Sequence, residues 1–276
     1  MKKIAAILIT LLLFSSCRQM VVEERMDCPR FLFFDIRNAD SFNTYDPTFL
    51  TVSSHPESSL SDDAESTVHA VQDQDFFFTV RGTEAVKGYG LIGYEKLNRR
   101  ASEWTAPLGQ DYAPLFRFSY LEPTQEESFV VPAEFVKEYC HLTIQFTGTD
   151  TYASTDGVFP FDIVVKSQTC GIDAMSGIPV RGPFEVHPKE QTQGFFEMTL
   201  PRLADQQLNL EIYGREGVSS HPGHNNTLNL YAILADEGIT WKEKNLPDID
   251  IRINYQELTI GVKVYPWAES LLTYEY

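Results

Sequence analysis

Positive charge is in short supply. The 276 residues carry 22 Lys and Arg against 39 Asp and Glu, a formal charge of −17. A surface of that sign repels DNA, RNA and anionic headgroups, and no Lys/Arg stripe runs against it, so no nucleic-acid partner is expected. Cysteine is scarce too, with four in the chain, no CxxC spacing and no histidine at zinc-finger distance. A structural zinc site is therefore not expected. Compact catalytic signatures are missing: there is no GxSxG, no HExxH and no glycine-rich phosphate loop. The expectation is a protein that is not an enzyme, with no catalytic residues, no cofactor and no metal. Beyond the first residues no stretch is long and apolar enough to span a bilayer.

What is present begins at the N-terminus, MKKIAAILITLLLFSSC. Lys2 and Lys3 form a positive head, Ile4 to Phe14 an apolar run, and Ser15 and Ser16 a small pair before Cys17. A secretory signal has this order, and a cysteine directly after the small pair looks like a bacterial lipoprotein cleavage site. The expectation is a signal peptide over 1–16 and lipid on Cys17. Several acyl chains hold where one does not, since each buried methylene contributes roughly 0.8 kcal/mol. Residues 17–27 then form a short acidic tether.

The rest is long enough for one large domain or two ordinary ones. It is rich in sheet-favouring aromatics, with 19 Phe and 13 Tyr. Strands are expected at 30–37, 75–80, 89–94, 114–121 and 128–131. Residues 41–67 and 95–113 read as irregular, and Pro132 is placed to open a short helix through Val136. A second set of strands starts near 138. Cys140, Leu142, Ile144 and Phe146 alternate on one face, and 159–167, 195–200 and 208–213 follow. Residues 168–193, rich in Gly and Pro, read as a long loop. Residues 227–237 are the best helix candidate, capped by Asn226 or Thr227. Segments 248–255 and 257–267 read as a hairpin. The sum is mainly β. Two tandem β-sandwich domains, 28–137 and 138–276 with a short helix in the second, fit the length and the restart. A single large jelly roll is the alternative.

Local chemistry is thin. Cys28, Cys140 and Cys170 remain once Cys17 is lipidated. The compartment permits disulfides, and Cys140 with Cys170 is the pairing expected, with three buried thiols as the alternative. Cys140 and His141 are strand neighbours and point to opposite faces, so they do not make a nucleophile–base pair. His221 and His224 read as part of a solvated loop. Asp248, Asp250 and Arg252 read as a wet strand face with charge pairing. Trp104 and Trp241, in segments read as loops and near Tyr94 and Tyr112, are the candidates for stacking on a sugar.

The order of these features carries a resemblance. A lipoprotein cysteine is followed by Asp27-Cys28-Pro29 and the strand RFLFFDIR. Later come NLYAILADE, DIDIRINY and GVKVYPW, with Val262, Val264 and Trp267 in the last. The chain resembles the FimB/Mfa2 family of fimbrial anchor lipoproteins from Bacteroidales over nearly its whole mature length. It departs at Pro266, where Asn is frequent, and in the Ser/Asp-rich 41–67. The resemblance implies transthyretin-like β-sandwiches, fimbrillin-type fimbrial subunits as partners, and an outer-membrane location facing the exterior. It implies a role in attaching a fimbria and limiting its length. Strand addition between subunits would use backbone hydrogen bonds for affinity and alternate side chains for specificity. Strands 30–37 and 114–121 and the hairpin 248–267 are the regions to inspect. The alternative function is a surface glycan-binding lipoprotein serving an outer-membrane transporter, for which Trp104 and Trp241 would supply the stacking surface.

Overall fold

A computed structural model describes residues 30–35, 49–56, 76–80, 86–93, 97–122, 129–148, 159–192, 194–216, 225–254 and 259–265. Cys17, Cys28, Tyr94, His221, His224 and Trp267 lie outside them. The first strands are β1 (Arg30–Asp35), β2 (Phe49–Pro56), β3 (Phe76–Val80), β4 (Val86–Gly93), β5 (Asn98–Arg100) and β6 (Glu103–Thr105). Next come β7 (Leu115–Glu122), β8 (Phe129–Pro132), β9 (Val136–Lys137), β10 (Tyr139–Thr147), β11 (Phe161–Asp173) and β12 (Pro179–Val186). The last are β13 (Glu190–Thr192), β14 (Phe195–Pro201), β15 (Leu208–Gly214), β16 (Asn225–Asn229), helix α1 (Leu230–Asp236), β17 (Asp248–Asn254) and β18 (Thr259–Tyr265).

The strands form four sheets, so the molecule is mainly β with sandwich packing. Sheet orders are β3-β1-β8, β2-β4-β7-β9, β13-β14-β10-β17-β18 and β16-β15-β11-β6-β5, with β12 also on β11. The division at 137/138 falls between β9 and β10. The hairpin β5–β6 crosses it, pairing Glu103–Thr105 with Gly171–Asp173 of β11. Close backbone approach there requires glycine, because a Cβ on Gly171 would stand 2.0 Å from the Trp104 carbonyl oxygen.

Alternation decides which faces pack. Cys140, Leu142, Ile144 and Phe146 are buried, as their period-two spacing predicts. Phe146 and Phe196 on one sheet and Phe161 on the other all meet Phe159, and Phe146 also meets Phe161 and Phe196, with ring centroids 5.2–6.4 Å apart. Such edge and tilted contacts add about 0.5–1.5 kcal/mol per pair beyond area burial. Phe116 of β7 meets Tyr139 of β10 edge-on at 5.5 Å. The β7 sheet thus joins the same apolar cluster.

Several expectations need correction. Residues 49–56 form β2 inside the supposedly irregular 41–67. The 95–113 stretch holds β5 and β6. Residues 168–193 hold the end of β11 together with β12 and β13. The turn expected after Pro132 is not helical, and β9 follows it instead. The helix begins at Leu230 because 225–229 pair with β15 as a strand. Its cap is Asn229, whose side chain accepts from Ala232 N at 3.0 Å. Among the described residues no helix is long and apolar enough to cross a membrane.

Candidate interaction surfaces

The expected pairs and platforms do not assemble. Cys140 and Cys170 are both free thiols, one on β10 and the other on β11 of a different sheet. Cys140 is fully buried and its Sγ reaches the His141 carbonyl, whereas Cys170 Sγ reaches that of Val180. Burial pushes the Cys140 thiol far above its usual range, so it holds no nucleophile. Trp104 and Trp241 are not exposed stacking surfaces. Each is only 7% exposed. Trp104 lies on β6, not in a loop, with the Arg99 guanidinium 5.4 Å from its ring. Tyr112 is buried as well.

The terminal hairpin forms as expected, with Ile249, Ile251 and Ile253 of β17 paired to Val264, Val262 and Ile260 of β18. The two strands differ in depth. β17 runs between β10 and β18, and its isoleucines are buried. β18 lies at the sheet margin, and Ile260, Val262 and Val264 are only half-buried against the core. No described residue pairs with its outer side, where the backbone donors and acceptors of alternate residues form an edge. Lys263 and Tyr265 punctuate that edge. The ammonium sits 4.3 Å from the Tyr265 ring centroid, and the Tyr265 hydroxyl donates to Asp250 Oδ2 at 2.7 Å. By contrast β1 is flanked by β3 and β8, and β7 by β4 and β9. β1 is paired along its length with β3, while β9 covers only Phe116 and Arg117 of β7.

Beneath the β17 end of the hairpin lies an ionic junction that sequence reading missed. Asp248 does not join a wet face. It is 5% exposed, and Lys137 Nζ, fully buried, donates to its Oδ1 at 2.5 Å. The backbone N–H of His141 donates to the same oxygen at 2.8 Å. Lys137 also lies 4.6 Å from the Tyr139 ring centroid. Burial of two charges costs several kcal/mol each, and the two hydrogen bonds at Oδ1 offset part of that cost, while the buried Oδ2 has no partner among the described residues. Asp250 pairs through the Thr143 hydroxyl and Tyr265, not through Arg252.

Next to it, buried Glu138 is held between two arginines, Arg117 Nε at 3.0 Å and Arg202 Nε at 2.6 Å. Arg202 further donates to the carbonyls of Lys137, Trp241, Glu243 and Lys244. It ties 241–244 to the β9–β10 junction. These groups come from positions 117 to 248 in the chain, so no local pattern betrays them. Above them opens a pocket of about 600 Å³.

No protein-family model matches the chain, and no curated protein matches it. Solved structures do share its fold. A candidate adhesin from Bacteroides thetaiotaomicron aligns with TM-score 0.55 at 11% identity, covering 87% of this chain and 97% of that one. The fimbrial anchor protein Mfa2 from Porphyromonas gingivalis aligns with TM-score 0.53 at 10% identity, covering 87% and 98%. A candidate polysaccharide-binding protein from B. thetaiotaomicron aligns with TM-score 0.55 at 10% identity, covering 88% and 100%. The chain therefore shares its fold with these solved structures, Mfa2 among them, as the sequence resemblance implies.

Proposed function

We infer that this protein is a lipid-anchored surface protein that holds a fimbria to the outer membrane and limits its length. The observation that carries the reading is the fold shared with Mfa2 along nearly the full length of both chains. The N-terminal order of charge, apolar run, small pair and Cys17 supports a lipid tether. The edge position of β18 among the described strands supports a docking mode in which a fimbrial subunit adds a strand and completes the cover over Ile260, Val262 and Val264. Glycan capture has less support, because Trp104 and Trp241 are buried.

Photo-crosslinking from position 263 on the cell surface tests this reading. The expected product is an adduct with a β-rich fimbrial subunit. An adduct with an outer-membrane transporter and none with a fimbrial subunit would overturn the anchor reading in favour of glycan uptake.

A further inference from the structure

The pocket above Glu138 has the wrong sign for its protein. The chain carries a formal charge of −17. Yet Arg117, Arg181, Arg202, Lys242 and Lys244 line this one cavity, against the carboxylates of Glu138 and Glu243. Most of these charges already have work. Glu138 is fully engaged by Arg117 and Arg202. Both nitrogens at the end of Arg202 are used up by backbone carbonyls. Lys244 pairs with Glu134 at 3.0 Å on the exposed rim.

Three donors are left over. Arg181 and Lys242 make no ion pair among the described residues, and both are exposed. Arg117 spends Nε on Glu138 and Nη1 on the Ala174 carbonyl, and its Nη2 has no hydrogen-bond partner among the described residues. That nitrogen lies directly under Gly177, where a Cβ would stand 2.4 Å from it. Two guanidiniums share one carboxylate, so the floor keeps a net positive charge in a partly buried setting. There an added anion is attracted more strongly than at an open surface. Beside these cations Ile178 is 64% exposed, next to Pro179. No aromatic face is exposed in the pocket for a sugar ring, since Trp241 in its wall is buried.

We propose that this pocket binds an acidic peptide segment of a protein partner, with Arg181, Lys242 and Arg117 Nη2 receiving a carboxylate and Ile178 receiving a neighbouring apolar side chain. The inference stands apart from the fimbrial reading and from the β18 edge. The test is calorimetric titration of the full chain in detergent with a capped hexapeptide carrying two glutamates around an isoleucine. The probe is compared with its glutamine twin, with inorganic phosphate and with an oligogalacturonate. The glutamate peptide is expected to bind at least about tenfold more tightly than the other three, and to weaken as salt rises. The double substitution Arg181→Ala with Lys242→Ala is expected to weaken it by about tenfold or more. Arg181→Lys with Lys242→Arg retains binding. Both residues are exposed, so an unchanged melting temperature separates a lost site from a lost fold. Equal binding of the glutamine twin, no effect of the alanine pair, or no binding at all would overturn the proposal. Equal or tighter binding of phosphate or the oligogalacturonate would overturn the assignment to a protein segment.

Discussion

β17 and β18 belong to one hairpin, alternate in the same way and differ in what surrounds them. Ile251 of β17 is fully buried, and its cross-strand partner Val262 of β18 is half-buried. β17 has a parallel neighbour in β10 and an antiparallel one in β18, so its backbone is satisfied on both sides. β18 has only β17. The comparison teaches that a period-two apolar pattern identifies a strand but not its place in the sheet. That place separates packing from docking.

The largest expected effect is on the buried side. Asp248→Ala leaves the Lys137 ammonium buried without its partner, at a cost of about 3–5 kcal/mol in denaturant unfolding. Lys137→Met combined with Asp248→Leu recovers most of that loss, and a double-mutant cycle reports the coupling. Ile251→Ala comes next, with about 2–5 kcal/mol from lost transfer energy and the cavity left behind. On the margin the same kind of change is small. Val262→Ala costs about 1 kcal/mol or less, because the side chain is already partly in water. Equal losses at 251 and 262 would erase the distinction. Lys263→Val leaves stability nearly unchanged and raises self-association in sedimentation, since an edge loses its blocking charge.

A smaller pH effect acts at the end of β11. Burial of Asp173 opposes its charge, but hydrogen bonds from Ser102 and Ser176 prevail and hold its carboxyl below the usual value. The native value is the lower one, so this stabilisation is complete above the ordinary aspartate value of about 4 and fades as pH falls through the native value. Ser102→Ala removes part of it, and the difference between the two proteins in acid unfolding shrinks toward low pH.

The strands that pack on a regular face were legible. Residues 139–147, 195–200, 208–213, 248–254 and 259–264 announce themselves by alternation, and the structure places them in the sandwich. The strands that escaped lack that signal for physical reasons. β5 is three exposed residues whose paired neighbour among the described strands is β6. β12 carries Pro179, Gly182 and Pro183 and pairs with β11 through register shifts, so its sequence looks like a loop. β2 lies in a Ser-rich segment and is positioned by β4 rather than by its own pattern. The ionic junction was invisible because Lys137 and Asp248 are neighbours only through β10 and β17. The tryptophans misled for the opposite reason: segments read as loops are assumed wet, yet Trp104 lies on a strand and Trp241 is buried although its neighbours 240 and 242–244 are exposed.

The most direct test of the anchor account is Cys17→Ala in the producing cell, with the protein and its fimbriae quantified on cells and in the medium. The account predicts that the variant is no longer membrane-bound and that fimbriae are shed with altered length. Membrane retention of the variant, or fimbriae unchanged in number, attachment and length, would contradict it.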